Sequence, residues 1–308
     1  MSSASNKVVD SNALQALSTQ DPKRTLEILE MLLNGEAQVN DPTKYYSNAL
    51  QTACAEGYEK VAHTLVERGA NVNDEGGWYG NALQAACAEG HEKIVRLLLD
   101  NGASVKAVGG FYGTALQAAC AEGHEGIGQI LLDNDADISA DSGPYGNALQ
   151  AASLTGRQSI VRLLLERHAD IHAEGKSLGT ALQAASFGGH KDIVRMLIDE
   201  GADVNAQGQF RNALQAACWE GHSDVVEILV GEGAEINAYD AYYGDALQSA
   251  CFRGYTEIVQ MLLDKGANVN APGGWLGSVV RTAAAGGNTE IRQMLLNHGA
   301  NISHIAYG

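Results

Sequence analysis

The sequence contains five cysteines, and their spacing indicates whether they could do chemistry. A thiolate can bind a metal, act as a nucleophile or form a disulfide. All five stand six residues after the start of an internal sequence repeat, where two other copies have Ser153 and Ser186: Cys54, Cys87, Cys120, Cys218 and Cys251. There is no Cys-x-x-Cys pair, and equivalent positions in neighbouring repeats are too far apart for a disulfide. We therefore interpret the cysteines as small packing residues, predict no metal site and no cofactor, and expect a reducing, cytoplasmic compartment.

Four histidines are periodic in the same way. His91, His124, His190 and His222 each follow a glycine between two predicted helices, which indicates a structural role. The other histidines have no second ligand or base at a spacing typical of a metal or catalytic site. Gly-Gly pairs are frequent, but they do not lie between a strand and a helix as a phosphate-binding loop requires. The sequence therefore predicts no catalytic residue.

The element that positions all these residues is a repeat of about 33 residues, seen most clearly in residues 81–101. Copies begin near residues 12, 48, 81, 114, 147, 180, 212 and 245, and a degenerate ninth copy begins near 278. Strict self-similarity at this period is typical of stacked supersecondary units.

Local rules predict two helices and a finger in each copy. Asn81 and Gln84 have the spacing of a capping box, and Gly90 is a typical helix end. The apolar positions in residues 92–100 predict a second helix, antiparallel to the first. Residues 73–80, rich in glycine and aromatic side chains, predict a hairpin-like finger. In the fourth copy, two glycines inside the second helix predict a locally less stable helix.

This repeat resembles the ankyrin repeat. The family pattern Thr-Pro-Leu-His corresponds to residues 81–84, its Gly-His step to residues 90–91, and its Leu-Leu-x-x-Gly-Ala-x-Val-Asn run to residues 197–205. The Asn-Ala-Leu-Gln-Ala-Ala form is similar to repeats of large fungal multidomain proteins. The resemblance implies an all-α fold: a curved, elongated α-solenoid of about nine repeats, forming one domain over residues 12–308 after a flexible N-terminus at residues 1–11.

Composition narrows the classes of partner. The chain has 20 Lys and Arg against 37 Asp and Glu, a net charge of −17. A nucleic acid or an anionic membrane would require basic patches, so neither is expected as a partner. No apolar run approaches the roughly 20 residues that span a bilayer. The first residues also lack the apolar core of a secretory signal. We expect a monomer whose protein or peptide partner is basic or apolar.

The resemblance also implies where binding occurs. In ankyrin arrays, the fingers and the two residues before the inter-helix glycine face a concave groove. At the first of these positions, copies two to four have alanine, and copies five to eight have Leu154, Phe187, Trp219 and Phe252. The second position carries Glu56, Glu89, Glu122, Glu220 and Arg253, and the fingers carry Trp78, Phe111, Phe210, Tyr242, Tyr243 and Trp275. We predict an acidic half and a bulky apolar half of one groove, although the finger aromatics would also be explained by packing between fingers.

Three functions are compatible with this pattern. The first is a non-catalytic scaffold for protein–protein interaction that binds a protein or peptide in the groove. The second is a small-molecule-binding or catalytic protein whose pocket is the aromatic part of repeats five to eight, with polar groups from Glu220, Arg253, His172 or Arg157. The third is a structural spacer.

Overall fold

In the computed structural model, every regular element of the described residues is a helix. These residues are 49–175, 178–208, 212–239, 244–271 and 277–301. Their sixteen helices are α1 (Ala49–Ala55), α2 (Glu59–Glu67), α3 (Ala82–Ala88), α4 (Glu92–Asp100), α5 (Ala115–Glu122), α6 (Glu125–Asp133), α7 (Ala148–Leu154), α8 (Gln158–Glu166), α9 (Ala181–Gly188), α10 (Lys191–Asp199), α11 (Ala213–Glu220), α12 (Ser223–Gly231), α13 (Ala246–Arg253), α14 (Thr256–Asp264), α15 (Val279–Ala285) and α16 (Thr289–Asn297). The predicted all-α fold is confirmed. The first copy, the predicted flexible residues 1–11, and the finger residues Phe210, Tyr242, Tyr243 and Trp275 lie outside the described residues.

The helices form two compact units, an N-terminal unit that ends at Ala148 and a C-terminal unit that starts at Leu149. Within each unit the first helix of a repeat packs against the first helix of the next repeat, as α3 does against α5 and α11 against α13. Second helices pack against second helices in the same way, as α4 does against α6. This is the packing of a helical solenoid. A single domain over residues 12–308 stays a prediction.

The first helices α3, α5, α9, α11 and α13 begin at a side-chain cap, as the sequence predicts, whereas Ser278 at the start of α15 makes no such bond. The side chain of Asn81 accepts a hydrogen bond from the backbone N–H of Gln84 at 2.9 Å. The reciprocal bond that completes a capping box is present at Thr180 and at Asn212. At Gln84 the capping-box prediction is wrong, because the amide is engaged elsewhere and its Oε1 is buried without a hydrogen-bond partner in the described part of the chain.

The amide of this glutamine fastens the finger to the first helix. The Nε2 of Gln84 donates to the backbone carbonyls of Gly109 and Gly113 at 3.0 and 2.9 Å. The equivalent glutamines, Gln51, Gln117, Gln150, Gln183, Gln215 and Gln248, also donate to carbonyls 23 or 29 residues later. The finger itself closes as predicted, since the N–H of Gly109 donates to the carbonyl of Gly113 at 2.8 Å.

The periodic histidines link successive repeats. The Nε2 of His124 lies 3.0 Å from the carbonyl oxygen of Ala88, and His91, His190 and His222 make the same contact with residues 35 or 36 positions earlier. The ring also explains the glycine of the preceding repeat: a Cβ added to Gly90, whose φ is +81°, would lie 2.5 Å from the His124 ring. The predicted structural role of these histidines is confirmed.

The five cysteines lie in the core between successive first helices. All are unpaired and buried, and burial raises the pKa of each thiol. Cys87 and Cys120 are 0% exposed, and they share the core with alanines of the same helices such as Ala86 and Ala119. Their interpretation as packing residues is confirmed.

Replacing Gly126 in α6 by alanine is expected to stabilise the fold by about 1 kcal/mol, because glycine is unfavourable in a helix interior. The added Cβ would meet only the flexible carboxylate of Glu92, at 3.4 Å. The free energy of unfolding from urea titrations measures the gain. As a control, Gly102→Ala is expected to destabilise, because Gly102 has φ +82°. A loss of stability in Gly126→Ala would contradict the prediction.

Replacing His124 by alanine is expected to cost about 1–3 kcal/mol, because it leaves the buried carbonyl of Ala88 without its donor. His124→Asn should cost less. The chain contains a related contact, since Asn288 takes the histidine position and its Nδ2 donates at 3.1 Å to the carbonyl of Cys251, one residue before the equivalent of Ala88. Urea titrations measure the free energy of unfolding of both variants. Equal losses would show that packing of the imidazole ring, not the hydrogen bond, stabilises the contact between the repeats.

Candidate functional site

The N-terminal unit carries a stack of aromatic finger residues. The rings of Trp78 and Phe111 lie 4.4 Å apart at an interplanar angle of 13°. Tyr112 and Tyr145 contact the Phe111 ring edge-on, with centroids 5.1 and 5.8 Å away. Packing between fingers, the alternative explanation for these aromatics, is therefore present. It leaves much of the indole in water, because Trp78 is 62% exposed.

The second aromatic of each finger reaches the first helix. The hydroxyl of Tyr79 donates to Glu89 at 2.6 Å, and that of Tyr112 donates to Glu122 at 2.5 Å. Burial, followed by these hydrogen bonds and the carboxylate charges, raises the pKa of both tyrosines above its usual value of 10, so the phenols stay protonated and donate. These pairs were not predicted from the sequence. Their signal is a tyrosine ten residues before a glutamate, at 46 and 56, 79 and 89, and 112 and 122, in three consecutive copies.

Small residues on the first helices accompany these contacts. Ala88 and Ala121, one residue before the two glutamates, are buried. The predicted acidic, small-residue face of this unit is therefore a set of glutamates at the ends of the first helices, with aromatic fingers hydrogen-bonded to two of them.

In the C-terminal unit, four of the predicted binding residues lie together. The rings of Trp219 and Phe252 stack, with centroids 5.8 Å apart and an interplanar angle of 15°. The guanidinium carbon of Arg253 lies 5.4 Å from the centre of the Trp219 ring, and its Nη2 lies 3.7 Å from an oxygen of Glu220. We call Trp219, Glu220, Phe252 and Arg253 the tryptophan cluster.

Arg253 also has a structural task that the sequence did not indicate. Its Nε donates to the carbonyl of Trp219 at 3.0 Å. In the repeats with a periodic histidine, the imidazole contacts this carbonyl, but here Tyr255 takes the histidine position and its ring lies against Gly221. Arg253 thus supplies a missing donor, and its charge is held against Trp219 and Glu220.

Leu154 and Phe187 occupy the equivalent positions on α7 and α9. Their backbone carbonyls accept hydrogen bonds from His190 and His222 at 2.9 and 3.0 Å. Leu154 is half-buried, and Phe187 is 40% exposed. The predicted series of large apolar side chains therefore reaches the protein surface. We call Leu154, Phe187, Trp219 and Phe252 the apolar series.

A polar depression of about 710 Å³ lies on the second helices α10 and α12. Charged side chains dominate its lining, among them Lys191, Arg195 and Asp224, and none of the apolar series contributes to it. In the described residues no group of three His, Cys, Asp or Glu side chains could hold a metal ion. The same residues contain no helix with the length and apolar character needed to cross a membrane.

A buried carboxylate caps the helix that carries Phe252 and Arg253. Asp245 is 2% exposed, and its Oδ1 accepts a hydrogen bond from the backbone N–H of Gln248 at 2.8 Å. Burial outweighs the backbone hydrogen bonds and raises the pKa of Asp245 to about 6. Other copies have asparagine, threonine or, in the ninth, serine at this position, none of which carries a charge.

Comparisons with known proteins agree with the geometry of the repeats. A family model described as ankyrin repeats (3 copies) matches residues 18–108, 105–175, 149–240 and 182–273. Among solved structures, the crystal structure of the human ASB11 ankyrin repeat domain is similar, with 28% sequence identity and a TM-score of 0.64. That match covers 71% of this chain and 98% of the other. The search of curated proteins gives no match.

Replacing Asp245 by asparagine is expected to stabilise the protein at neutral pH. An aspartate titrates near 3.9 when unfolded and near 6 in the folded protein. The folded state therefore binds the proton more tightly, and stability falls as pH rises from about 4 to about 6. Asp245→Asn should remove this fall and gain about 1–3 kcal/mol at pH 7, with little gain at pH 4. Urea unfolding between pH 4 and 8 measures both.

The matched control is Asn212→Asp, which places a carboxylate at the same buried cap of α11. This variant should acquire the pH-dependent loss that Asp245→Asn removes. Parallel pH profiles for wild type and Asp245→Asn would contradict the raised pKa.

Proposed function

Because the chain belongs to the ankyrin repeat family, we propose that it is a non-catalytic scaffold that binds a protein or peptide through the apolar series of its C-terminal unit. Ankyrin repeats are generally protein–protein interaction modules. The observation that carries the proposal is the tryptophan cluster: two stacked rings and a guanidinium, at the surface of consecutive repeats.

The composition of the cluster is that of a binding anchor. Tryptophan, tyrosine and arginine are enriched among the interface residues whose truncation costs most affinity. The side chains of Trp219 and Arg253 are held in place by each other and by Glu220, so little side-chain freedom remains to be lost on binding. Burial of a large apolar side chain such as Phe187 against a partner favours binding, because it removes apolar surface from water.

The position of the series also supports binding. Four large apolar side chains occur at one repeat position, where the N-terminal unit has buried alanines such as Ala88. The fold itself does not require them, since α3 and α5 pack in the same manner with alanine there. Their size is therefore better explained by a partner than by the packing of the repeats.

The small-molecule alternative has less support. The depression of about 710 Å³ lies on the second helices and is lined mainly by charged side chains. Ligand sites are typically apolar with a few convergent polar groups, and this depression has the opposite composition.

The proposal predicts that Phe187→Ala, Trp219→Ala and Phe252→Ala each weaken the partner at least tenfold, because anchors cost about 2 kcal/mol or more when truncated. The partner is first captured on the immobilised full chain from an extract of the source cells. Its Kd for each variant is then measured by calorimetry. Phe187→Ala is the most direct test, because the exposed side chain contributes little to folding.

The matched control is Ile228→Ala on the second helix of the repeat that carries Trp219; it removes apolar area from the opposite helix and should leave the Kd unchanged. Lower melting temperatures with unchanged affinity would assign the series to packing alone. Cross-links between the partner and the second helices would also contradict the proposal.

A further inference from the structure

The N-terminal unit presents a rigid aromatic surface to water. The N–H of Phe111 donates to the carbonyl of Trp78 at 2.7 Å, so the two fingers are joined through their backbones as well as through their rings. The edge contacts of Tyr112 and Tyr145 fix the Phe111 ring from the other side. An exposed indole held in this way loses little entropy when a ligand covers it.

Carboxylates adjoin this surface at fixed positions. Tyr112 contacts Phe111 with its ring and Glu122 with its hydroxyl, which connects the aromatic stack to the end of the first helix. Tyr79, next to Trp78, holds Glu89 in the same way. Each tyrosine supplies one hydrogen bond, and a carboxylate has sites for about four, so most of its accepting capacity remains.

Glu56, Glu89 and Glu122 have no basic partner among the ion pairs of the described residues. In this unit Lys93 pairs with Glu59 and Arg96 with Glu92, all on second helices. Residues 49–148 contain 14 acidic and 5 basic side chains, a net charge of −9. The field around this unit therefore attracts cations.

From this arrangement we propose that Trp78 and Phe111, with Glu56, Glu89 and Glu122, form a docking surface for an extended, arginine- or lysine-containing polypeptide segment. We call this set the aromatic–acid face. One cationic side chain lies over the exposed face of the Trp78 ring, and others pair with the glutamates of consecutive repeats. The proposal rests on the proposed protein-binding function, but it uses a surface separate from the apolar series.

The chemistry of the face selects this ligand over simpler cations. A metal ion requires several ligands converging on one point, and no such group exists in the described residues. An indole attracts organic cations, with guanidinium groups the most frequent partners in proteins. Because a tyrosine–glutamate pair recurs in two consecutive repeats, a segment with several cations matches the face better than a single small cation does.

The test measures the affinity of the full chain for fluorescein-labelled nona-arginine by fluorescence anisotropy at 0.15 M salt. Trp78→Ala and Glu89→Gln should each weaken binding at least fivefold. Glu89→Gln retains an acceptor for the Tyr79 hydroxyl, so the fold is preserved while the charge is lost. Two controls should change the Kd less than twofold: Glu92→Gln, which removes the same charge from the second helix, and Val108→Ala, which removes another exposed apolar side chain.

Equal weakening by Glu89→Gln and Glu92→Gln would overturn the proposal, because it would indicate general attraction to an acidic protein. So would an unchanged Kd in Trp78→Ala. A peptide that is lost with Trp219→Ala but retained with Trp78→Ala would place the cationic segment on the apolar series. Sedimentation velocity adds one more outcome: a wild-type dimer that Trp78→Ala dissociates would assign the face to a second copy of the chain. If a variant of the apolar series loses the native partner but binds nona-arginine with an unchanged Kd, the result concerns the apolar series alone.

Discussion

The hydrogen bonds from a buried glutamine to the finger are the interaction on which the position of the finger depends. Without Gln84, the half-buried carbonyl of Gly109 would lose this donor, whereas that of Gly113 would keep the N–H of Gly109. An unsatisfied buried polar group costs about 1–3 kcal/mol. The Gln84 side chain is also closely packed against the preceding finger, since a Cβ added at Gly80 would lie 2.2 Å from its Oε1. The aromatic residues at the finger tips owe their fixed positions to this contact.

Successive repeats are joined by a second kind of hydrogen bond, from a side chain of one repeat to a backbone carbonyl of the preceding one. The residue type of the donor differs between repeats. The carbonyl near the end of a first helix needs a hydrogen bond because the next first helix packs over it and excludes water. Histidine supplies it in four described repeats, and His124 is an example. Arg253 supplies it where Tyr255 replaces histidine. In the ninth copy, Asn288 donates instead to the carbonyl of Cys251, one residue earlier in the first helix. Because it is the carbonyl that needs a hydrogen bond, other residues are tolerated at the histidine position when another side chain can reach that carbonyl.

The sequence predicts those features of the fold and the candidate site that depend on residues close together in the chain. Helix limits, the Asn81 cap, the finger and the buried cysteines follow from patterns within a few residues, and the structure confirms them. The second bond partner of Gln84 lies 29 residues away on a glycine, a residue type that gives no indication of a backbone acceptor. The ten-residue separation of Tyr79 and Glu89 exceeds the spacing of side-chain pairs on one helix. Arg253 was predicted as a charged residue of a binding groove. Its hydrogen bond to the Trp219 carbonyl could not be predicted, because it replaces the contact of a histidine whose position Tyr255 takes.

The two units expose aromatic side chains from different elements of the same repeat. In the N-terminal unit the rings come from the fingers, and the hydroxyl of Tyr79 donates to Glu89. In the C-terminal unit the first helix itself supplies Trp219 and Phe252, and the charges beside them neutralise each other in an ion pair. A face whose carboxylates retain their charge favours a cationic ligand, whereas one whose charges are paired gains mainly from apolar burial. If both proposals hold, substitution at one or two positions of a constant repeat is enough to give each unit a different ligand preference.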